Sequence, residues 1–161
     1  MNTWTIRPIQ PKDNAQVKTL IRAVLVEMGV PKIGTAYEDK SLDDMTSEYK
    51  NDRKIYYIVE ENNEIIGGSG IAPLTGLEEE ICELQKMYFL PQARGRGIGA
   101  KMISDCLKFA KKEGFKKCYI ETLPYMENAR KLYAKNGFET IEKQMGKTGH
   151  YNCTVFMIKN L

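Results

Sequence analysis

Residues 93–102, ARGRGIGAKM, bring three glycines and two arginines to the start of a predicted helix. The first backbone N–H groups of a helix have no intrahelical partner, and the helix dipole favours negative charge at that end. Glycine leaves out the Cβ that would keep a phosphate away from the backbone, and arginine adds positive charge. The segment therefore predicts a phosphate-binding loop.

Two nucleotide-binding patterns match this sequence only in part. Gly95, Gly97 and Ala100 satisfy the dinucleotide fingerprint G-x-G-x-x-G/A, which belongs early in a βαβ unit with an acidic residue about 20 positions later. Here the nearest such carboxylate, Glu121, lies 26 positions beyond Gly95. Residues 145–148, MGKT, look like the end of a P-loop, but isoleucine occupies position 141, where that motif requires glycine. We interpret this second segment as a turn.

A more specific pattern lies in residues 83–138. The stretches ELQKMYFLPQARGRGIG and ARKLYAKNGFE resemble, in this order, two CoA-binding motifs of the GNAT superfamily of N-acyltransferases. In that family R/Q-x-x-G-x-G/A, which begins here at Arg94, holds the CoA pyrophosphate. The resemblance implies an acetyl-CoA-dependent N-acetyltransferase. It also implies a mixed α/β, GNAT-like fold, with a mostly antiparallel central sheet of about six or seven strands flanked by about four helices.

The resemblance further implies which residues contact acetyl-CoA. Main-chain groups of the strand before the loop would bind the pantetheine arm and the oxyanion, at a point where this strand separates from its neighbour. The family often has asparagine seven positions before a helix tyrosine, whereas this sequence has Met126 there and Asn128 two positions later. The implied cofactor-binding residues are Met87, Tyr88, Phe89, Arg94, Gly95, Arg96, Gly97, Ile98, Gly99, Ala100 and Asn128.

Glu83 is the candidate general base. A lysine-like amine has a pKa of about 10.4, so it must lose a proton before it attacks a thioester. Glu83 lies on the strand that the resemblance places beside the thioester, and strict alternation puts it on one face with Met87 and Phe89. Burial there would raise the carboxyl pKa. The alternative is a carboxylate exposed at a sheet end or paired with a lysine such as Lys86.

Tyr133 is the candidate general acid. The resemblance places it where many family members keep a tyrosine that protonates the departing CoA thiolate. The alternative is a structural hydrogen bond, or a ring that only packs beside Ala129 and Leu132.

Other reactive side chains give weaker signals. His150, the only histidine, follows Gly149 at a predicted turn; a surface role is the simpler interpretation, and substrate contact or proton transfer is the alternative. Cys82 as an acylated nucleophile is a less simple alternative to direct attack by the amine. One histidine and four scattered cysteines have no metal-ligand spacing, so we expect no metal.

Acceptor recognition is assigned to residues 29–49 and to the predicted hairpin around residues 146–152. Acidic side chains in the first segment would attract a cationic amine, or would simply form a solvated helix face: Glu38, Asp39, Asp43, Asp44 and Glu48. The acceptor amine stays open between small molecules, such as polyamines, aminoglycosides and amino acids, and the amines of peptides or proteins.

Hydrophobic spacing and turn residues predict the elements that carry these residues. The order is strand, helix, helix, three strands, helix, strand, helix and two strands, in one domain of residues 1–161. Asp13 is the predicted N-cap of the first helix, and Gly29 ends that helix. Pro124 falls in the first turn of the last helix, and the segment GKTGH forms a short turn between the closing strands.

Charge and cysteine content bear on partners and compartment. Residues 1–90 carry 10 basic and 15 acidic side chains and residues 91–161 carry 14 and 6, so −5 and +8 give the net +3. A basic half would suit a polyanion, but the lysines are spread over several elements without a base-stacking aromatic motif, so we expect no nucleic acid. A non-catalytic acyl-CoA-binding sensor of the same fold is the alternative to an enzyme.

The sequence also favours a cytoplasmic protein that does not bind a membrane. The four cysteines show no C-x-x-C pairing, as expected of reduced thiols, and the N-terminal residues lack the pattern of a signal peptide. The longest apolar run, TLIRAVLVEMGV, contains Arg22 and Glu27 and so does not predict a membrane span. Because many GNAT proteins are dimers, a homodimer is possible.

Overall fold

The computed structural model describes residues 3–161, and its strands and helices follow the predicted order. The strands and helices, in chain order, are β1 (Trp4–Pro8), α1 (Asn14–Glu27), α2 (Met45–Glu48), β2 (Ile55–Glu61), β3 (Glu64–Pro73), β4 (Ile81–Phe89), α3 (Ile98–Lys112), β5 (Lys117–Thr122), α4 (Glu127–Lys135), β6 (Glu139–Ile141) and β7 (Val155–Asn160). Over this described part of the chain, each helix falls short of the length and apolar character that crossing a bilayer requires.

The strands form a seven-stranded sheet in the order β1-β2-β3-β4-β5-β7-β6. Neighbouring strands pair antiparallel everywhere except between β4 and β5, which are parallel. The expected mixed α/β fold with a mostly antiparallel sheet is therefore confirmed.

Helices cover both faces of this sheet. Apolar side chains of α3, among them Met102 and Ile103, share one buried cluster with Ile120 of β5 and Tyr133 of α4. On the opposite face, α1 packs its buried stripe against β2 and β3, together with Met45 of α2. These two clusters hold β4 and β5 at the centre of the molecule, where the candidate site lies.

Strand β4 contains one extra residue, a β-bulge at Lys86. Its pairing with β3 slips by one position, so that Ser69 of β3 faces both Lys86 and Met87, and Lys86 has a φ of 50°. The Tyr56 hydroxyl donates a hydrogen bond of 2.8 Å to the backbone oxygen of Lys86. A bulge of this kind re-aims the side chains that follow it.

The bulge makes the expected alternation along β4 wrong. Leu84 before the bulge and Met87 and Phe89 after it all pack against the α3 side of the sheet. Tyr88 packs against the α1 side of the sheet. Glu83 faces the same side, because it bonds to Gln85, and Gln85 bonds to Tyr49 of the α1-side cluster. Glu83 therefore does not share a face with Met87 and Phe89, because the extra residue reverses the phase between them.

The two central strands separate directly after Glu83. The β4–β5 ladder comprises only three residue pairs, from Ile81 with Lys117 to Glu83 with Tyr119. Beyond that point β4 continues along β3, while β5 continues along β7. The separation that the family resemblance implied is present, and it opens a cleft whose inner end is Glu83.

Three local predictions need correction. The Asp13 carboxylate makes no capping bond to α1, because it accepts from the Gln10 backbone N–H and pairs with Arg7 at 2.8 Å. Helix α4 begins three residues after Pro124, at Glu127, because the Met126 N–H closes a turn onto Leu123. Residues 142–154 form a long loop instead of a short turn.

Replacement of Tyr56 by phenylalanine tests the bulge. Tyr56→Phe leaves the part-buried Lys86 carbonyl without the Tyr56 donor, so we expect the free energy of unfolding to fall by about 1 to 3 kcal/mol in urea titrations. Tyr57→Phe is the matched control, because the half-buried Tyr57 hydroxyl bonds to no residue in 3–161, and it should cost less than about 0.5 kcal/mol. Equal losses in the two variants would contradict this role of Tyr56.

Candidate active site

The glycine-rich loop exposes a row of backbone donors. Gly95 and Gly97 have φ values of 71° and 79°, and α3 begins directly after Gly97. Within residues 3–161, none of the backbone N–H groups from Gly95 to Ala100 donates to another group of the protein. A row of free N–H groups at a helix start fits an anion such as a pyrophosphate.

Gly99 gives space for close helix packing. A Cβ at this position would lie 2.7 Å from Cδ2 of Leu132, so Gly99 allows α3 and α4 to approach each other. The three glycines of the motif therefore have two functions. Gly95 and Gly97 permit the positive φ of the loop, and Gly99 leaves space between α3 and α4.

Both arginines of the loop are already ion-paired. Arg94 binds Glu27 at 2.8 Å and also donates to the backbone oxygen of Phe89. Arg96 binds Glu61 at 2.7 Å, and its guanidinium lowers the pKa of Glu61 to about 2. Since each guanidinium has a carboxylate partner, the free backbone N–H groups are the main donors that the loop offers to an anion.

The cleft between β4 and β5 contains a cavity of about 60 Å³. Four of the predicted site residues line it: Glu83, Met87, Tyr88 and Tyr133. The predicted loop residues 94–100 lie beyond the end of β4 and do not contribute to its lining. Asn128 is exposed on α4 and is also outside the lining, whereas Met126 is part of it.

Glu83 is buried at the inner end of the cleft, with 6% of its surface exposed. Burial raises the pKa of Glu83 to about 7, and the nearby Glu121 carboxylate acts in the same direction. Gln85 opposes this shift in the Glu83 pKa by donating from Nε2 to Glu83 Oε1 at 2.6 Å. Neither sequence alternative is present, because Glu83 is not exposed and the Lys86 ammonium pairs with Asp39 instead.

Tyr133 is buried, but its hydroxyl has no partner in the described chain. The ring packs edge-on against Phe138, with centroids 6.1 Å apart, and lines the same cavity as Glu83. Burial raises the pKa of Tyr133 above its ordinary value, so the hydroxyl keeps its proton at neutral pH. The structure thus shows an available donor without the structural hydrogen bond that was one alternative, while the ring does pack in one cluster with Ala129 and Leu132, as the other alternative expected.

A charged cluster of His150, Asp39 and Lys86 stands beside Glu83. His150 Nε2 lies 2.9 Å from Asp39 Oδ1, and Lys86 Nζ lies 3.1 Å from Asp39 Oδ2. Burial alone would raise the pKa of Asp39, but His150 and Lys86 together hold the Asp39 pKa below its usual value. Burial would lower the pKa of His150, but the effect of the Asp39 carboxylate is stronger than that of burial. The pKa of His150 therefore lies above its usual value. His150 lines the cavity, so the simpler interpretation of a surface turn is wrong.

The cluster joins the two segments that were assigned to acceptor recognition. The Asn152 N–H also donates to the Gly34 carbonyl at 3.1 Å, so residues 29–49 and 146–152 are in direct contact. Of the five acidic candidates only Asp39 reaches this cluster. Three of the others serve local structure: Asp43 pairs with Lys18, Asp44 caps α2, and Glu38 accepts from the Gly34 N–H.

Glu121 was not singled out as a site residue by the sequence, although it lines the cavity. Its carboxylate accepts from the Tyr119 hydroxyl at 2.7 Å, from Gln144 Nε2 at 2.9 Å and from the Thr148 hydroxyl. These bonds anchor the loop of residues 142–154 on β5, which explains why the loop replaces a short hairpin turn. Its place at the end of a strand was the available sequence signal.

The cysteines do not provide a nucleophile at this site. Cys82 is fully buried in the α3-side cluster and is absent from the cavity lining. Cys153 does line the cavity, but burial and nearby carboxylates raise its pKa to about 12, which keeps the thiol protonated. Across residues 3–161, no three His, Cys, Asp or Glu side chains are gathered as metal ligands would be.

The fold and these motifs match known acetyltransferases. The chain belongs to the acetyltransferase (GNAT) family, whose profile matches residues 23–138. An uncharacterized N-acetyltransferase of Escherichia coli (strain K12), YjgM, is 41% identical over 97% of this chain and 94% of its own length. The protein is accordingly an N-acetyltransferase.

Solved structures show the same fold. A GNAT-family acetyltransferase from Staphylococcus aureus Mu50 superposes with a TM-score of 0.85 at 19% identity, over 98% of this chain and 99% of that one. A phosphinothricin acetyltransferase from Sinorhizobium meliloti, solved in complex with AcCoA, superposes with a TM-score of 0.78 at 21% identity, over 99% of this chain and 89% of that one.

The raised pKa of Glu83 predicts a pH-dependent effect on stability. Glu83 has a pKa of about 7 when folded and about 4.5 when unfolded, so the native state binds more protons and loses stability as the pH rises between these values. Glu83→Gln removes this loss. The free energy of unfolding of the variant minus that of the wild type should therefore increase by about 2 to 3 kcal/mol between pH 4.5 and pH 8.

The control for this prediction is Glu64→Gln, at an exposed position on β3. Its difference from the wild type should stay constant over the same pH range, as measured by urea unfolding. A constant difference for Glu83→Gln as well would show that Glu83 titrates normally in the folded protein.

Proposed function

We propose that this protein transfers an acetyl group from acetyl-CoA to a primary amine by direct attack, with Glu83 as general base and Tyr133 as general acid. One observation carries the proposal: a buried carboxyl with a pKa of about 7 and a phenol without a hydrogen-bond partner in residues 3–161 line one cavity, where β4 and β5 separate. Membership of the GNAT family supports the same reaction.

Glu83 is suited to accept the amine proton. With a pKa of about 7, roughly half of the Glu83 carboxyls are ionised at neutral pH, close to the optimum for a general base. An amine arrives as a cation, which the carboxylate attracts. Glu83 then removes its proton directly or through a water molecule, which leaves a neutral nucleophile.

Tyr133 and the main chain of β4 act on acetyl-CoA, the other reactant. The Tyr133 hydroxyl retains its proton and can donate it to the departing sulfur. Beyond Glu83, the edge of β4 that faces β5 has no strand partner within residues 3–161, so main-chain groups near Met87, Tyr88 and Phe89 are available to the pantetheine arm and the oxyanion, apart from the Phe89 oxygen that Arg94 already binds.

The glycine-rich loop fits the pyrophosphate of acetyl-CoA, which supplies the activated acetyl thioester. The backbone N–H groups of Gly95, Arg96, Gly97, Ile98, Gly99 and Ala100 would bind the phosphate oxygens. Arg94 and Arg96 add positive charge that Glu27 and Glu61 partly neutralise. Asn128, exposed in the first turn of α4, stays a candidate contact to the cofactor arm.

Residues 1–161 act as one acetyltransferase domain on the amine of a small molecule, peptide or protein, without nucleic acid or membrane, and form a homodimer. The four free cysteines support a cytoplasmic location.

Two substitutions test the assigned chemistry. In a thiol-release assay with acetyl-CoA and a panel of amines and basic peptides, Glu83→Gln should lower kcat/KM by about 10²- to 10³-fold, and Tyr133→Phe by about tenfold or more. The wild-type kcat/KM should rise with pH around 7, and this dependence should be absent in Glu83→Gln.

The controls are Glu64→Gln and Tyr57→Phe, which should keep wild-type rates. Acetyl-CoA affinity should be retained in both active-site variants. Full turnover in Glu83→Gln would remove it as the base, while acetyl-CoA binding without turnover on any amine would favour the sensor function. A protein that does not bind acetyl-CoA at millimolar concentration would contradict both the acetyltransferase and the sensor function.

A shortened acyl donor tests whether the glycine-rich loop binds the pyrophosphate. Gly97→Ala strains a residue with φ of 79° and displaces the N–H groups, so KM for acetyl-CoA should rise about tenfold. KM for S-acetylpantetheine, which has no pyrophosphate, should not change. Gly114→Ala is the control, because Gly114 also has a positive φ with open space around it, but at the far end of α3. Equal effects on both donors would contradict pyrophosphate binding by the loop.

A further inference from the structure

We propose that Gln85 and Tyr49 are positioning residues for Glu83, and that together they fix which of its oxygens receives the proton and the pH at which it works. Tyr49 donates from its hydroxyl to Gln85 Oε1 at 2.5 Å, and Gln85 donates from Nε2 to Glu83 Oε1 at 2.6 Å. Within residues 3–161, no group donates a hydrogen bond to Glu83 Oε2. This inference rests on the proposed role of Glu83 as general base.

The direction of this chain of hydrogen bonds follows from its chemistry. An ionised carboxylate only accepts, so the amide of Gln85 must turn its NH₂ group toward Glu83. Its carbonyl oxygen then faces Tyr49, which must donate. The opposite orientation would bring the amide oxygen against the carboxylate oxygen. Burial raises the pKa of Tyr49 well above its ordinary value, so this donor keeps its proton at every pH at which the enzyme would be assayed.

The surrounding structure holds the chain of hydrogen bonds rigidly. Tyr49 follows the last residue of α2, is buried, and packs its ring against Tyr56 with centroids 5.3 Å apart. Tyr56 in turn holds the bulge at Lys86, the residue after Gln85. A Cβ at Gly70 would lie 2.9 Å from Tyr49 Cε1, so glycine at that position lets the ring approach β3.

The charged and titratable groups around Glu83 come from five segments of the chain. Lys86 and Tyr88 lie on β4, Cys118, Tyr119 and Glu121 on β5, His150 and Cys153 in the loop of residues 142–154, and Tyr49 after α2; Asp39, before α2, pairs with both Lys86 and His150. Replacing Gln85 leaves all of them in place. Because a donor to the ionised form favours that form, loss of the Gln85 N–H should raise the pKa of Glu83 further.

The experiment compares kcat/KM of Gln85→Leu and of the wild type from pH 5.5 to pH 9.5 with the same amine, so that the titration of the amine cancels in the ratio. We expect a loss of about tenfold at pH 6 that largely recovers by pH 9, as for a shift of the basic limb by about one pH unit. Tyr49→Phe should shift the limb in the same direction by less. Tyr57→Phe is the control and should leave it unchanged.

A merely structural role for Gln85 gives a different result. It would lower the rate by the same factor at every pH, or raise KM for acetyl-CoA, and either outcome in both variants would overturn the inference. If Gln85→Leu does not fold, the Tyr49→Phe profile decides alone, and an unshifted limb in that variant overturns the inference.

A measurement without turnover separates this inference from the proposed function. The Glu83 carboxyl is titrated by ¹³C NMR in wild type, Gln85→Leu and Tyr49→Phe, with Glu83→Gln used to assign the signal. A raised midpoint in Gln85→Leu supports control of the Glu83 pKa by Gln85, even if Glu83→Gln keeps its activity and the base assignment fails. An unchanged midpoint in Gln85→Leu contradicts it.

Discussion

The single extra residue in β4 is the constraint on which the site depends. It reverses the side-chain phase at Lys86, so that Glu83 and Gln85 lie on the α1 side while Met87 and Phe89 pack toward α3. The hydroxyl of Tyr56 supplies the hydrogen bond that the bulged carbonyl would otherwise lack. Without this bulge the strand would run on in regular alternation, and Glu83 would share a face with Met87 and Phe89.

The cleft next to the bulge balances burial against charge. Burial and Glu121 push the pKa of Glu83 upward, while Gln85, His150 and Lys86 pull it down, with the result that it lies near neutrality. The same His150 and Lys86 meet on Asp39, which ties the loop of residues 142–154 to the segment before α2. The segments that we assign to acceptor recognition and the groups that set the pKa of Glu83 therefore form one connected set of side chains.

Much of the fold follows from local pattern. Helical spacing of apolar residues predicted α1 and α3, and the glycines at 29, 114 and 137 end α1, α3 and α4 with the expected positive φ. The residues around β4 were less predictable. Alternation assumes a regular strand, and a bulge held by Tyr56, which is 30 residues away in the chain, leaves no local signal.

The sequence by itself determined the order of elements and the family, because both depend on residue types at short spacing. Its resemblance to the family's motifs also supplied the anion-binding loop, Glu83 and Tyr133 as candidates. Only the tertiary structure decided which groups meet Glu83. His150 and Asp39 are 111 residues apart, and Tyr49 and Gln85 are 36 apart. Contacts over such separations depend on how the sheet is paired and how its loops return, and no local pattern contains that information.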